Sequence, residues 1–321
     1  YDITGDALKL RKSVELDVNG ALTKVADLSG EKTADLLLIN DRDLSYAKLR
    51  FDDRSIATLK AHLGKIDDSL TRALCWSAAW DMLRDAEISA TDFIDIALAG
   101  LPGEDDIATV TIIANQLITA VELYSAPSKR DSSRLKVGNA YEQMLRAAVA
   151  GSDHQLQFAR NFTSFASSAE HNDLIKELLD GKLSGLKVDA DLRWTFVIAL
   201  AERGLMDKAA LSAELLKDNT LTGSLSHATA LAALPTEQAK SEVWKSITTE
   251  ELSTSQREAK IAGFMRALHR PLLAAYVDPY FELLMETWGK KSYEVASKFV
   301  EGMYPTYITT KETVDKTTTW L

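Results

Sequence analysis

Chemistry at a metal ion needs side chains that converge, and histidine is the first residue to check. The chain has five: His62, His154, His171, His227 and His269. The closest two are 17 residues apart, and none is followed by Glu. A metallopeptidase helix carries two histidines one turn apart, with a glutamate between them as general base and a further carboxylate ligand downstream. No such HExxH motif is present, and no His and Cys cluster offers another metal site. Nor is there a G-x-S-x-G elbow, a phosphate-cradling glycine loop or a G-x-G-x-x-G fingerprint. Asp41 and Asp43 resemble paired carboxylates or the start of a calcium loop. No ligand series continues at the right spacing, so turn and cap roles suit them better. Cys75 is the only cysteine, which rules out an internal disulfide. Its neighbours Leu74 and Trp76 are apolar, as for a packed, unreactive thiol. The sequence thus assigns no catalytic residue and no metal ligand.

One cation stands out as a substrate-binding candidate. On a helix expected from about Asp189 to Glu202, Arg193 has Phe196, Val197 and Leu200 at i+3, i+4 and i+7. The other face (Trp194, Ile198, Ala201, Leu205) is apolar too, as in a buried helix. A buried arginine needs a carboxylate or carbonyl partner. Either Arg193 faces inward to meet a peptide carboxylate, or it forms a structural ion pair with Asp189, Asp191 or a neighbouring helix. The structural pair is the more usual role in helical arrays. Trp76 with Trp80, and Tyr276 with Tyr280, stand at i, i+4 and would line a channel or, by default, pack in the core. Lys129, Arg130, Arg134 and Lys136 form the only dense basic run, a solvated helix start too small to hold nucleic acid.

The elements that must position these residues divide in character near Asp52. Before it, Leu8, Leu10, Val14, Leu16 and Val18 share one parity, and Leu36 to Ile39 form a short apolar run. Both suit strands. Residues 1–53 are therefore expected to form three or four antiparallel strands, part of a β domain, with turns at Asn19-Gly20, Ser29-Gly30 and Asp41-Arg42-Asp43. From residue 54 to 321 the spacing turns helical, predicting about fifteen helices of about 10 to 20 residues. Ser89-Ala90-Thr91-Asp92, Asp153 and Pro235-Thr236-Glu237 mark helix starts, while Gly100 to Gly103, Gly181 and Gly204 mark stops. Short loops make successive helices antiparallel. A long series of such pairs stacks into an irregular HEAT-like or armadillo-like α-superhelix.

Composition narrows the possible partners. The chain has 321 residues, 46% of them hydrophobic, and a net charge of −10. That is enough to bury a sizeable core, and the acidic balance argues against a nucleic-acid surface. The apolar stretch Val110 to Val121 is interrupted by Asn115, Gln116 and Thr119 and is read as too short to span a bilayer. No secretory signal is expected at the first residues, and the single cysteine suits a cytoplasmic setting.

The segment Asn40 to Asp52 (NDRDLSYAKLRFD) resembles the β-to-helix junction of bacterial aminopeptidase N, a family of zinc metallo-aminopeptidases. Leu70 to Trp76, Val188 to Trp194 and Phe299 to Pro305 resemble that family's C-terminal helical domain, in the same order. The resemblance implies that residues 1–53 are the end of a β-sandwich domain and residues 54–321 a helical superhelix cupped over a catalytic domain of the same polypeptide. It also implies zinc, and removal of N-terminal residues from peptides, in the parent enzyme. With no HExxH in this chain, that chemistry is expected upstream of Tyr1. This region would wall the peptide chamber, control access and move during domain closure. The competing reading is a non-enzymatic HEAT-like scaffold binding partner proteins. A self-contained enzyme of another type is disfavoured by the lack of a site.

Overall fold

The structure, a computed structural model, describes residues 1–321 and is mainly helical, with one small antiparallel sheet. By internal contacts it divides into two compact units, residues 1–140 and 141–321.

The sheet corrects the sequence expectation. Only β1 (Asp2–Thr4) and β2 (Ala7–Lys9) form, paired Ile3 to Leu8 around a Gly5-Asp6 turn. Gly5 takes the left-handed conformation such a two-residue turn requires. Leu8 is buried, but Leu10, Leu16 and Val18 are 49%, 43% and 76% exposed. Leu36 is buried, yet Leu37 and Ile39 are exposed. Alternation specifies a face, whereas a strand also needs a hydrogen-bonding neighbour. Between residues 10 and 35 the backbone bonds locally instead: Leu28 N–H donates to Val25, Ser29 to Ala26, and Asn19 to the Thr23 hydroxyl. The expected turns do form. Gly20, Gly30 and Arg42 have positive φ, and a 3-10 turn covers Asp41–Asp43.

The helical expectation is met, with fifteen helices of ten residues or more plus one of four. In the first unit α1 (Asp53–His62), α2 (Ser69–Arg84), α3 (Ala90–Gly100) and α4 (Ile107–Thr119) lead into α5 (Pro127–Ala147), which runs across the division. Carboxylates or hydroxyls open the first four: Asp52, Asp68, Ser89 and Asp106 each accept a backbone N–H of the first turn, and Ser89 with Asp92 closes a capping box. The 3-10 turns Leu63–Lys65 and Leu101–Gly103 pack together. A Cβ on Gly103 would collide with the Gly64 carbonyl, so only glycine allows the approach.

α4 runs on through a π-helical turn, Ala120–Tyr124. The result is an 18-residue apolar segment, Ile107–Tyr124, with mean hydropathy 1.4, longer than the sequence reading allowed. By length and composition it is the one helix able to cross a membrane. Here Val110, Ile113, Ala114 and Leu117 lie buried in the protein core. Glu122, inside the π turn, is buried and takes two 2.9 Å hydrogen bonds from Arg134.

The second unit holds α6 (Asp153–Phe165), α7 (Ala169–Leu179), α8 (Ala190–Glu202), α9 (Lys208–Lys217), α10 (Leu221–Ala232), α11 (Glu237–Thr249) and α12 (Thr254–Phe264). It continues through the short α13 (Arg270–Leu273) to α14 (Val277–Lys290), α15 (Tyr293–Gly302) and α16 (Lys311–Trp320). Its helices α8, α10 and α12 each contact the second helix before them, and α7, α9 and α11 each pack on the helix that follows. α10 and α12 approach closely at Gly263, where a Cβ would strike the Thr229 carbonyl. Thr229 Oγ1 there donates to the Ala259 carbonyl at 3.0 Å. The predicted stops hold: Gly181 and Gly204 take positive φ just beyond α7 and α8.

The first unit contains a buried ion pair. Arg72 on α2 binds Glu104 through two bonds of 3.0 and 3.1 Å, and its Nη1 donates to the carbonyls of Ile66 and Asp67. Trp76 Nε1 donates to the same carboxylate. The Arg72 and Glu104 side chains are 5% and 2% exposed, so removing Arg72 leaves a buried carboxylate without its counter-charge, held by Trp76 and the Asp105 and Asp106 N–H groups. Arg72→Ala should cost about 3–5 kcal/mol, read as a lowered urea midpoint. An unchanged midpoint would show that Glu104 finds water or another donor.

Candidate functional site

Arg193 lies on α8 as expected, with Asp189 as the N-cap accepting the Leu192 N–H. Every apolar neighbour the spacing placed around it is buried or half-buried except the exposed Leu205. Its partner is on a neighbouring helix. Nε donates to Glu214 of α9 at 2.7 Å, and Nη1 to the Leu179 carbonyl, the last residue of α7, at 3.4 Å. Glu214 also accepts from Lys217 at 2.7 Å. Burial works against the Glu214 carboxylate, but the bonds from Arg193 and Lys217 outweigh it and hold its pKa below the usual range. The Arg193 side chain is 30% exposed. It is therefore a half-buried cation paired across helices, with an edge toward solvent.

The same arrangement recurs along the second unit, and sequence reasoning missed it. Arg203, just past α8, donates to the Thr163 and Ala166 carbonyls at the end of α6, at 2.7 and 2.6 Å. Lys240 on α11 has no exposed surface. Its ammonium meets the Ala232 carbonyl closing α10 (2.7 Å) and the Gly263 and Phe264 carbonyls closing α12 (3.3 and 3.0 Å). Arg257 on α12 donates to the Ile247 carbonyl near the end of α11. Burial drives the Lys240 pKa down to about 7, with Arg266 adding to it and Glu202 opposing, while the three carbonyl oxygens favour the charged form. A signal existed. Lys240 has Val243, Trp244 and Ile247 at i+3, i+4 and i+7, the pattern that singled out Arg193.

The other candidates resolve into packing. Cys75 is fully buried and its thiol is pushed up to about 12 by that burial, so it is no nucleophile at neutral pH. Trp76 is buried against Glu104, and Trp80 packs on Phe93 and Tyr124. Tyr280 is buried, stacks with Phe299 and donates to the Val300 carbonyl, while Tyr276 packs on Trp244 and Phe264. Arg134 of the basic run is buried by its Glu122 pair; Lys136 is half-exposed and paired with Asp95. Asp41 Oδ1 accepts from the Tyr1 hydroxyl, and Asp43 accepts from Asn40 within their turn. No three His, Cys, Asp or Glu side chains come together as metal ligands. An open groove of about 930 Å³ lies between α14 and α16, lined by Phe281, Trp320 and charged residues. Those charges are partly satisfied among themselves: Lys316 pairs with Asp278 and Glu312, and Lys311 with Asp315.

Comparison with known proteins decides the family. The model of the ERAP1-like C-terminal domain matches residues 36–321. The chain belongs to the ERAP1-like C-terminal domain family. It is also 44% identical to an aminopeptidase N of Streptomyces lividans, over all of this chain but 38% of that protein. The chain thus spans less than half the length of that relative, and the region is the one its resemblance implied. In this ERAP1-like domain the partial exposure of the Arg193–Glu214 pair sets the expected cost of losing it. Exposed pairs contribute about 0–1 kcal/mol and breaking buried ones costs about 3–5 kcal/mol, so Arg193→Ala should cost about 1–2 kcal/mol. Denaturant unfolding measures this, and a variant as stable as the parent would show the pair to be idle.

Proposed function

We propose that this chain is the non-catalytic C-terminal region of an aminopeptidase N-like zinc enzyme that removes N-terminal residues from peptides. The observation that carries this reading is the family match over residues 36–321, joined to the aminopeptidase N relative that contains the whole chain within 38% of its length. In this reading residues 1–53 end a β-sandwich domain and residues 54–321 form an α-superhelix. The regular contacts of α8, α10 and α12 with the second helix before them support that stacking. The superhelix walls a peptide chamber against the catalytic domain of the same cytoplasmic polypeptide, admits flexible peptides, and moves as the chamber opens and closes.

The side chains here do not fit a zinc site, because no group of ligating residues converges. No step of the hydrolysis is therefore routed through this region. Its contribution would be to access, with Arg193 the residue to test for contact with a peptide carboxylate. The chain alone should bind no stoichiometric zinc and release no amino acid from aminoacyl reporters. Removing residues 54–321 from the full polypeptide should change which peptide lengths are cleaved more than the rate on a single aminoacyl reporter. Zinc-dependent activity in the isolated chain, or an unchanged length preference in the soluble, folded truncation, would contradict the proposal.

A further inference from the structure

Beyond α12 the chain turns a broken corner before α14. It passes through the 3-10 turn Ala267–His269, then α13, then a second 3-10 turn, Ala274–Tyr276. Short, interrupted helices hold themselves weakly, so what pins this corner matters. Its apolar side chains, Leu273 and Tyr276, join the cluster of Phe264, Tyr280 and Phe299. Arg270 pins it on one side, donating to the Tyr307 carbonyl at 3.2 Å; on the other the polar pin is His269, which is 4% exposed. Nε2 lies 2.8 Å from the carbonyl oxygen of Glu202, the last residue of α8 and 67 positions away.

A carbonyl only accepts, so Nε2 carries the hydrogen. Nδ1 is buried and has no hydrogen-bond partner. The ring is therefore held as one neutral tautomer. A proton added at Nδ1 would sit in a dry site with no acceptor. The charges facing the ring also oppose it: Lys240 from α11 and Arg266 from the corner itself, against Glu202 from α8. The Glu202 carboxylate is already shared with Arg203, 3.7 Å away.

We propose that His269 is an acid-sensitive latch: neutral, it ties the α12–α14 corner to the end of α8, and a proton taken from solvent at Nδ1 releases that corner. Opening lets the imidazolium reach water and frees the Glu202 carbonyl.

The direction follows from linkage. Burial first, then Lys240, push the His269 pKa below its ordinary 6.5, with Glu202 opposing. A group depressed in the closed state gives a stabilisation that is complete above 6.5 and is lost as pH falls toward the depressed value. One linked proton raises the opening equilibrium by up to about tenfold per pH unit in that window. Lys240 shares only its upper edge, near neutrality, and adds little below pH 6.5. Its pKa falls from 10.5 to about 7, so its pH-dependent contribution lies mainly above neutrality. His171 and His227 are also depressed by burial, but they sit on α7 and α10 and are separable by substitution.

Amide hydrogen exchange on the protein at pH 6.5 and 5.0, below the Lys240 transition and corrected for intrinsic rates, tests the latch. Peptides covering residues 265–276 should lose up to about tenfold of their protection at pH 5.0, while α3 does not. His269→Gln, whose amide can still donate to Glu202 but does not titrate, should abolish that difference; His227→Gln should keep it. A pH-invariant corner in the parent, or a difference that survives in His269→Gln, would overturn the proposal. Should that variant not fold, histidine Cε1 exchange in the parent reads the same group directly. His269 titrating below 6.5 supports the latch, and titration at its ordinary value sinks it.

Discussion

A helix ends with carbonyl groups that have no partner of their own, and in a stacked array those ends fall against neighbouring helices where water is scarce. Much of this structure follows from how they are satisfied. In the second unit long cations do it: Arg203 closes α6, Lys240 closes α10 and α12 together, Arg257 reaches α11, and Arg193 reaches α7. Cations also suit the negative end of the helix dipole. Each contact links a residue on one helix to the terminus of another, so it fixes where helices stop relative to their neighbours. Apolar packing alone is less particular about that offset.

Helix starts are met differently. Ser, Thr and Asp caps accept the free N–H groups at nearly every N-terminus, from Asp52 and Asp68 to Thr310. These caps are local, three residues from the groups they serve, whereas the cations at the other ends are long-range. The starts are thus set by local sequence, as are the glycine stops after α7 and α8, while distant cations hold the ends of α6, α10, α11 and α12. Glycine then allows the close approach at Gly263 between α10 and α12.

That asymmetry explains what could be read from the sequence. Caps are short-range signals, so Ser89, Asp153, Thr236 and the stops at Gly181 and Gly204 marked real boundaries. The faces of α8 were legible for the same reason, as was the isolation of Cys75. The β segment misled because parity says nothing about a strand's hydrogen-bonding neighbour, and Leu16 and Val18 have none. The partner of Arg193 was expected on its own helix end or a neighbour, and Glu214 is 21 residues away. Lys240 was missed although its i+3, i+4 and i+7 neighbours are apolar, because lysine usually reaches water by snorkelling. Here α10 and α12 close over it.

The claim that buried cations hold the helix ends together is tested most directly at Lys240. Replacing it with Met keeps the volume and removes the ammonium, so the carbonyls of Ala232, Gly263 and Phe264 lose their shared donor. Hydrogen exchange at pH 6.0, a full unit below the lowered Lys240 pKa of about 7, would be compared with Lys208→Met, which removes the exposed pair with Glu242. The account predicts that Lys240→Met lowers protection in the last turns of α10 and α12 by about tenfold or more, while Lys208→Met leaves it alone. Equal protection in both variants and the parent would mean that apolar packing alone sets the helix ends, and would contradict it.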